Sequence, residues 1–582
     1  MTPPPNPWQQ NIQAFGAIYP SAVKALEEAG SVQAPSMETA APHSPPDIEF
    51  DEQAHLHVAC RFAASGLAWQ LMECIHQAEI LAPCNRRLLL IEDRLDAMAL
   101  AFAQRDWRTL IQSERCLWYI NAKGLTEVRY LLSRYPQIAH PRVALYWGQS
   151  GADPEASRQL LNELCELWGH FHRNLDGRLQ PFVDNQAGSQ PPPYPRRVRY
   201  FVPGHNAIQE AMVKNTGELG YECLRLQWKT PLYRFIRDRA WIAAVEQENI
   251  DAAVFLNATP QTFCQNDMLE RLPIRCVAWF VDNPRRYVWD AQQLQGCDAV
   301  GVFDRAYLPY LRQLSDRPVI EARTAFGVDP TRAVPDPAWS QFDVAFVGEL
   351  GVHGFAHHQA LLHARHPQLL DEIDAWLAAQ DWTQHIDIAA SIMPLFEQAS
   401  VPFQAGWVEY VENKATALRR RYLLEALHGT GLHIFGDAEW ADPTYAGPLA
   451  DHYQGRRIDY AAELPRLYAS AKIHVNIFHA QCTQSPNPRV YDVLACGGFM
   501  LSMDSPGLRD ELTPGEDLAV FQTRGELREA VEYYLAHPEE RRAIAECGRL
   551  RTLAKCRYSD RIQKLFATLS QIDRTQTRPQ MG

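Results

Sequence analysis

Residues 485–498 read Ser-Pro-Asn-Pro-Arg-Val-Tyr-Asp-Val-Leu-Ala-Cys-Gly-Gly, and this stretch predicts a short helix with a marked start and end. Asn487 is a favoured residue before a helix, and the proline after it suits the first helical position, where no free N–H is needed. Gly497 suits the position after the helix, where a left-handed backbone is common. Apolar runs flank the stretch at 473–477 and 499–502, so the local order is strand, helix, strand.

The same alternation of short β-rich runs and longer helical patterns extends over most of the chain. It predicts an α/β protein with parallel, doubly wound sheets, because parallel strands are joined through crossover helices. Two such sheets in tandem form two Rossmann-like domains that face a cleft, and ligands bind at the carboxyl ends of their strands. The predicted strands are 87–91, 116–120, 198–202, 252–256, 275–281, 299–303, 342–347, 432–435, 473–477, 499–502 and 518–521.

Proline-rich segments mark the expected domain boundaries. Residues 191–193 are consecutive prolines, and Pro335 and Pro337 lie close together further along the chain. Such segments favour extended spacers over packed elements. We therefore expect a flexible N-terminal arm at 1–50, an accessory α/β domain at 51–185, an N-terminal Rossmann-like domain at 197–335 and a C-terminal Rossmann-like domain at 340–570.

The composition excludes several classes of protein. Of the 582 residues, 46% are hydrophobic and 21% are charged, which is typical of folded domains rather than disordered chains. The net charge of −13 argues against nucleic-acid binding through overall charge, and no apolar run approaches the roughly 20 residues of a membrane-spanning helix. The 13 cysteines are scattered without a Cys-x-x-Cys pair, and the first ten residues lack the features of a secretory signal, so we expect a cytoplasmic protein with reduced thiols.

Arg489 and Asp492 lie three residues apart near the start of the predicted helix. A helix N-terminus attracts anions through its free N–H groups and its dipole. An arginine there can contact a phosphate, and an aspartate one turn into the helix can accept hydrogen bonds from two sugar hydroxyls. A nucleotide diphosphate presents both groups, so we expect Asp492 to face the cleft. The alternative is a surface ion pair worth a few tenths of a kcal/mol.

The stretch from Leu464 to Phe521 resembles the donor-binding half of GT-B glycosyltransferases, most closely the spore maturation protein CgeB-like group of bacteria. Residues 276–284, Cys-Val-Ala-Trp-Phe-Val-Asp-Asn-Pro, resemble the N-terminal half of that group. The resemblance implies a transferase whose nucleotide-sugar donor binds the C-terminal domain and whose glycan or protein acceptor enters from the N-terminal domain. It implies no catalytic metal and no cofactor other than the donor as substrate. It also implies that Asp492 stands where relatives usually carry a glutamate that contacts the donor ribose.

The region at 51–185 carries a second likeness. Residues 88–93 read Leu-Leu-Leu-Ile-Glu-Asp, and residues 105–107 read Arg-Asp-Trp. With these stretches the region resembles one found beside sugar-modifying domains in bacterial proteins related to motility accessory factors. The resemblance implies an accessory module that contributes to the choice of acceptor.

His205 and Asp282 are the candidate catalytic residues. His205 follows the predicted strand 198–202 and precedes a helix, so it should lie at the carboxyl edge of the sheet, where an imidazole can deprotonate an acceptor hydroxyl. Residues 203–222 also resemble the start of inverting sugar transferases, whose base is a histidine after the first strand. Asp282 follows another strand of that sheet and can orient His205, bind a sugar hydroxyl or act as the base itself. The alternatives are a histidine that caps the following helix and an aspartate that caps the turn before Pro284.

Gly348 begins a glycine turn between a predicted strand and a helix, and the turn can bring backbone N–H groups close to a phosphate. It matches no standard phosphate-binding motif, so a plain tight turn is the alternative. One member of Arg419–Arg421 can also reach a diphosphate. Five histidines between 353 and 366 lack the glutamate or cysteine partners of a zinc site, so they predict a polar helix face rather than a metal site. The expected donor-binding residues are Gly348, Asn487, Arg489 and Asp492.

Two rival functions remain open at the level of the sequence. One is a non-catalytic protein of the same fold that senses a sugar nucleotide, which the aspartate at 492 in place of glutamate supports. The other is a sugar-nucleotide epimerase on the same architecture.

Overall fold

The computed structural model describes most of the chain from residue 272 onward and separate stretches before it. The described residues are 7–18, 27, 57–62, 87–92, 98–99, 102–103, 106–111, 116–120, 143–148, 151–186, 195–201, 207–224, 249–263, 272–403 and 405–572. The chain forms two compact units. The first comprises Met1–Ala187, Gln227–Glu248 and Phe263–Arg271, and the second comprises Gly188–Leu226, Asn249–Thr262 and Leu272–Gly582.

The first unit contains a five-stranded sheet. Its strands are β1 His57–Phe62, β2 Arg87–Glu92, β3 Cys116–Ile120, β4 Val143–Gly148 and β5 Gly151–Asp153, and its helices include α1 Pro7–Ile18, α2 Arg108–Ile111 and α3 Pro154–Gln186. The strand order is β3-β2-β1-β4-β5. The first four strands are parallel and β5 pairs antiparallel with β4. Helix α1 is anchored by the buried Asn11, which donates to the Phe102 carbonyl at 3.0 Å and accepts from the Trp107 N–H at 2.7 Å.

The second unit begins with a six-stranded parallel sheet, which we call the N-terminal half. Its strands are β6 Arg197–Phe201, β7 Glu222–Leu224, β8 Ala252–Leu256, β9 Arg275–Phe280, β10 Ala299–Val302 and β11 Val319–Glu321, and its helices include α4 Ala207–Glu218, α5 Pro260–Phe263 and α6 Leu308–Leu314. The order is β11-β10-β9-β8-β6-β7, and every pairing is parallel. Strands β8, β9 and β10 are buried along their whole length. Their continuous apolar runs are typical of strands covered on both faces.

A five-stranded parallel sheet follows in the same unit, which we call the C-terminal half. Its strands are β12 Val344–Val347, β13 Leu432–Phe435, β14 Ile473–Asn476, β15 Met500–Met503 and β16 Ala519–Phe521, in the order β13-β12-β14-β15-β16. Its helices are α7 Ala356–Arg365, α8 Pro367–Ala378, α9 Ile388–Gln398, α10 Ala405–Leu424, α11 Pro443–Ala446, α12 Leu464–Ser470, α13 Pro488–Ala495, α14 Arg524–Ala536, α15 Pro538–Lys555 and α16 Tyr558–Ser570. The prediction of an α/β protein with two parallel-sheet domains is confirmed.

The last described helix, α16, contributes to the hydrophobic core of the N-terminal half, although it follows the sheet of the C-terminal half in sequence. Its buried residues Ile562 and Phe566 belong to the hydrophobic core that contains Val198 and Val254 of the N-terminal half. The Phe566 ring also meets the Tyr221 ring edge-on, with 5.1 Å between centroids. The end of the described chain therefore completes the core of the N-terminal half.

The carboxyl edges of the two sheets meet within the second unit. Asp304, two residues after β10, is fully buried. Its Oδ2 accepts hydrogen bonds from the backbone N–H groups of Thr483 at 2.7 Å and Gln484 at 2.9 Å. These contacts dock the segment that follows β14 onto the N-terminal half. Polar residues at the ends of strands from both sheets are thereby brought together.

Candidate functional site

Two arginines converge on one aromatic ring at the carboxyl edge of the C-terminal half. The guanidinium carbons of Arg420 and Arg489 lie 5.7 and 5.9 Å from the centre of the Phe346 ring. Both distances are within reach of a cation–π interaction. Arg420 comes from α10 and Arg489 from the first turn of α13, so two helices supply the charges around strand β12. Together with the adjacent Arg419 they form what we call the arginine cluster.

The arginine cluster has no carboxylate partner of its own in the described ranges. Arg421 pairs with Glu425 at 3.0 Å, but Arg419, Arg420 and Arg489 form no ion pair among these residues. Arg419 donates instead to the Gln384 carbonyl at 2.8 Å, Arg420 to the Glu349 carbonyl, and Arg489 to Asn476 Oδ1 at 3.3 Å. The Nε atoms of Arg419 and Arg420 are buried without a hydrogen-bond partner.

Burial favours the deprotonated forms of Arg419 and Arg420. Arg419 is 0% and Arg420 is 6% exposed. Removal from water lowers the pKa of Arg419 to about 10, and removal from water together with the nearby charge of Arg489 lowers the pKa of Arg420 to about 9. Both groups remain charged at neutral pH, and buried cations without a counter-charge are costly. An anion bound beside them would relieve that cost.

Two backbone N–H groups of the glycine turn after β12 are already used within the protein and are therefore not available to a phosphate. Leu350 and Gly351 donate their backbone N–H groups to the buried Asp437 carboxylate, both at 2.7 Å. Gly348 lacks a side chain where a Cβ would lie 2.9 Å from the Phe346 ring and 3.5 Å from the Arg420 guanidinium carbon. Gly348 therefore leaves the space in which the arginine lies against the ring.

Helix α13 begins as predicted. Asn487 is the residue before the helix, Pro488 is its first residue, and Gly497 has the left-handed φ of +77° after its end. The Asn487 side chain does not cap the helix, and its Oδ1 is buried without a hydrogen-bond partner. A buried acceptor at the start of this helix is open to a hydroxyl or amide donor of a ligand.

Asp492 is not open to the cleft, which corrects the expectation from the sequence. It is 2% exposed. Its Oδ1 accepts from the backbone N–H groups of Gly327 at 2.7 Å and Val328 at 3.3 Å, and its Oδ2 accepts from the Tyr460 hydroxyl at 2.9 Å. Burial raises the pKa of Asp492 to about 6, although these hydrogen bonds and Arg489 oppose the shift. Asp492 therefore ties α13 to the connection between the two halves.

His479, three residues after β14, lies beside the arginine cluster. Its Nδ1 accepts from the Gln481 N–H at 3.2 Å, so Nε2 carries the proton and donates to Asn413 Oδ1 at 3.1 Å. Removal from water, together with the charges of Arg286 and the arginine cluster, holds the pKa of His479 well below its usual range. The ring is therefore a neutral, oriented group at the edge where the two halves meet.

Asp282 lies at the end of β9, where Asn257, at the end of β8, holds it. Asn257 Nδ2 donates to Asp282 Oδ2 at 2.6 Å, and the Tyr287 hydroxyl donates to the same oxygen at 3.4 Å. From the C-terminal half, Gln481 Nε2 donates to Asp282 Oδ1 at 2.8 Å. The turn before Pro284 is capped by Asn283, which accepts from the Arg285 N–H at 3.0 Å, and not by Asp282.

The sequence-predicted residues thus fall into separate groups. Gly348 and Arg489 lie together at the arginine cluster, and Asn487 begins the helix that carries Arg489. His205 lies in 202–206, outside the described residues.

Sequence reasoning missed three of the site residues. Asn257 follows β8 just as Asp282 follows β9, so its position after a strand was a usable signal. His479 and Gln481 lie in an irregular segment after β14 and carry no local pattern that distinguishes them.

Among the residues that the structure describes, no helix is both long and apolar enough to cross a membrane. In the same ranges, no group of three or more His, Cys, Asp or Glu side chains is placed to hold a metal ion.

The comparison with protein families places a match over the C-terminal half. Residues 419–567 match the family described as "Glycosyl transferase-like". The matched region begins at Arg419 and includes Arg420, His479, Arg489 and Asp492. The chain therefore contains a glycosyl transferase-like region that carries the arginine cluster. No curated protein matches the chain.

Several solved structures are similar in fold. A sucrose-phosphate synthase from Thermosynechococcus elongatus is 14% identical, with a TM-score of 0.37, and the match covers 64% of this chain and 99% of that one. A glycosyltransferase from Rickettsia africae is 8% identical, with a TM-score of 0.39 over 65% of this chain and 99% of that one. Anabaena HepE in complex with UDP and glucose is 10% identical, with a TM-score of 0.36 over 65% of this chain and 100% of that one.

Proposed function

We propose that this protein transfers a glycosyl group from a nucleotide sugar to a hydroxyl of a glycan or protein acceptor. The observation that carries the proposal is the arginine cluster, an uncompensated set of cations within the region that matches the glycosyl transferase-like family. Such cations stabilise the negative charge that develops on a leaving diphosphate, which is usually the largest contribution to this type of catalysis.

The donor diphosphate would lie between Arg420 and Arg489, close to the start of α13. Guanidinium groups suit phosphate oxygens because they donate several parallel N–H groups. The two carboxylates whose charges act on Arg420, those of Asp437 and Glu349, are already engaged by other groups. Asp437 is held by the glycine turn, and Glu349 pairs with Arg457 at 3.0 Å.

The ribose would bind near Asp492, as the sequence resemblance implies. Both oxygens of Asp492 already accept hydrogen bonds. A ribose hydroxyl would donate to Oδ2, which accepts from the Tyr460 hydroxyl among the described residues and keeps a second acceptor position. The acceptor would enter from the N-terminal half, where His205 and Asp282 are the candidate bases. Membership of the CgeB-like group, a cytoplasmic location and a bacterial origin belong to the same proposal.

Isothermal titration calorimetry with UDP, GDP and dTDP, and with the matching nucleosides, tests the donor site. Arg489→Ala and Arg420→Ala should each weaken diphosphate binding by about 1–3 kcal/mol, the range for a lost charged hydrogen bond, and nucleoside binding much less. Arg542→Ala is the matched control, because Arg542 lies on the surface and its one ion pair among the described residues is with the exposed Glu539. Equal losses for nucleoside and nucleotide would show that the arginines act through structure. Release of diphosphate from a sugar nucleotide then separates a transferase from a binding protein.

A further inference from the structure

We propose that Asp282 is the group that accepts the acceptor proton, and that Asn257 and Gln481 are positioning residues that hold its carboxylate from opposite sides of the cleft. This inference rests on the proposed function. It assigns the proton transfer to a described residue and explains how that residue is oriented.

The backbone of Asn257 is the first observation. Its φ is +49°, a left-handed conformation that is uncommon for residues other than glycine. Strained conformations of this kind persist where the surrounding structure fixes them, and they occur often at functional sites. In this conformation the side-chain amide of Asn257 points toward the residues that follow β9. Oδ1 accepts from the N–H groups of Val281 at 2.9 Å and Asp282 at 3.2 Å, while Nδ2 donates to the Asp282 carboxylate.

Gln481 supplies the second contact, from the C-terminal half. Its amide bridges two neighbouring residues of the N-terminal half, because Nε2 donates to Asp282 Oδ1 and Oε1 accepts from the Asn283 N–H at 3.3 Å. The Gln481 carbonyl in turn accepts from the Tyr307 hydroxyl at 2.6 Å. The contact to Oδ1 of Asp282 therefore forms only where the two halves meet, whereas Oδ2 is held from within the N-terminal half.

The Asp282 carboxylate has an acceptor position left over, as a general base that binds a hydroxyl requires. A carboxylate offers about four acceptor positions. Among the described residues, Oδ2 accepts from Asn257 and Tyr287 and Oδ1 accepts from Gln481, so one position on Oδ1 stays open to an acceptor hydroxyl. Asp282 is only half-buried, so a substrate can reach it.

The position of Asp282 relative to the arginine cluster fits transfer from a bound donor. Gln481 is two residues from His479, and two residues of chain span at most about 7 Å. The charges of the arginine cluster in turn contribute to the lowered pKa of His479. In the reaction the acceptor O–H bond breaks, its proton goes to Asp282 Oδ1, and the oxygen forms a bond to the anomeric carbon. The bond from that carbon to the diphosphate breaks, and its electron pair leaves with the diphosphate.

The charged and titratable groups around Asp282 come from three elements. Arg286 and Tyr287 lie in its own loop, and Cys482 lies in the segment after β14. Glu409 and Glu412 of α10 surround Arg286. Hydrogen bonds donated to a carboxylate favour its charged form, so removal of a donor disfavours that form.

The test measures diphosphate release with water as acceptor. The donor is whichever of UDP-glucose, UDP-N-acetylglucosamine, dTDP-glucose and GDP-mannose the wild-type protein hydrolyses fastest. Asp282→Asn should lower kcat at least about 100-fold. Asn257→Gly, which permits the same backbone, and Gln481→Leu should each lower kcat about 10- to 100-fold, as small misplacements do. Both should leave the donor Kd within two-fold and move the acid limb of the pH–kcat profile to higher pH.

Asn249→Gly is the matched control, because Asn249 is an exposed asparagine with a similar φ of +52°. It should leave kcat and the pH profile unchanged. If the wild-type protein releases diphosphate and the Asn257 and Gln481 variants keep its kcat and acid limb, the inference is overturned and the proposed function stands. If Asp282→Asn retains the wild-type rate while His205→Ala does not, the base is His205 and the inference also falls. Release from none of the donors by the wild-type protein overturns both.

Discussion

Arg286 and Glu412 form an ion pair that joins the two halves of the second unit, with 2.6 Å between Arg286 Nη2 and Glu412 Oε2. The side chain of Glu412 is 2% exposed and that of Arg286 is 15% exposed. Glu412 Oε1 also accepts from Asn283 Nδ2 at 2.6 Å. One carboxylate on α10 therefore binds two side chains, Asn283 and Arg286, from the loop that carries Asp282.

Glu412→Ala should lower the free energy of unfolding by about 3–5 kcal/mol, because it leaves the Arg286 guanidinium buried without its counter-charge. Urea unfolding of the variant and the wild-type protein measures the difference. Glu539→Ala, which breaks an exposed pair with Arg542, should change it by less than about 1 kcal/mol. Recovery of stability in the double variant Arg286→Met, Glu412→Leu would confirm that the loss comes from the unpaired charge. Equal effects of the two single alanine variants would contradict it.

Asp492→Asn should change stability in a pH-dependent way. The pKa of Asp492 is raised to about 6 in the folded state, above the unfolded value of about 3.9. The folded state therefore binds this proton more tightly, and the wild-type protein loses stability as the pH rises from about 4 through 6. Because asparagine carries no charge, the variant should gain about 1–3 kcal/mol relative to the wild type between pH 4.5 and pH 8. A difference that stays constant between these pH values would show that the carboxylate is not titrating there.

Arg420→Met should separate stability from ligand binding. Without nucleotide, the variant should be at least as stable as the wild type, by up to about 2 kcal/mol, because a buried cation without a counter-charge is replaced by an apolar chain of similar length. Nucleoside diphosphate should raise the Tm of the wild-type protein and raise that of the variant much less. Arg541→Met is the control, since Arg541 is 9% exposed but donates to the Tyr534 carbonyl at 2.6 Å, away from the cluster. A full nucleotide-induced Tm shift in Arg420→Met would count against the diphosphate site.

Gly436→Ala should destabilise the C-terminal half by about 1–3 kcal/mol, the usual cost of overpacking. A Cβ at this position would lie 2.2 Å from the Gly348 carbonyl oxygen and 2.8 Å from Trp440 Nε1. Because the first contact is backbone, relief requires movement of the glycine turn, and nucleotide affinity should fall with stability. A Cβ at Gly217 in α4 would have no described atom within 4 Å, so Gly217→Ala should raise the free energy of unfolding by up to about 1 kcal/mol. Thermal unfolding of both variants compares them, and a neutral Gly436→Ala would contradict the close approach.

Helices and strands that depend on neighbouring residues in the sequence could be predicted from it. Helix α13 follows from an asparagine, a proline and a glycine at the right spacing, and strand β9 follows from a continuous apolar run. The burial of Asp492 could not be predicted in this way, because its partners Gly327 and Val328 lie in a distant connection that reaches it only in the folded protein. The orientation of Asp282 by Gln481 depends likewise on contact between two sheets.

The packing of α16 against the N-terminal half has a consequence for synthesis of the chain on the ribosome. Val254 in β8 shares its hydrophobic core with Ile562 and Phe566, which come roughly 300 residues later in the sequence. At about 5–20 residues per second, the nascent N-terminal half waits on the order of 15–60 s for the helix that covers it. During that interval an apolar face of its sheet is uncovered, so a chain shortened before Tyr558 should be captured by chaperones and should aggregate on release.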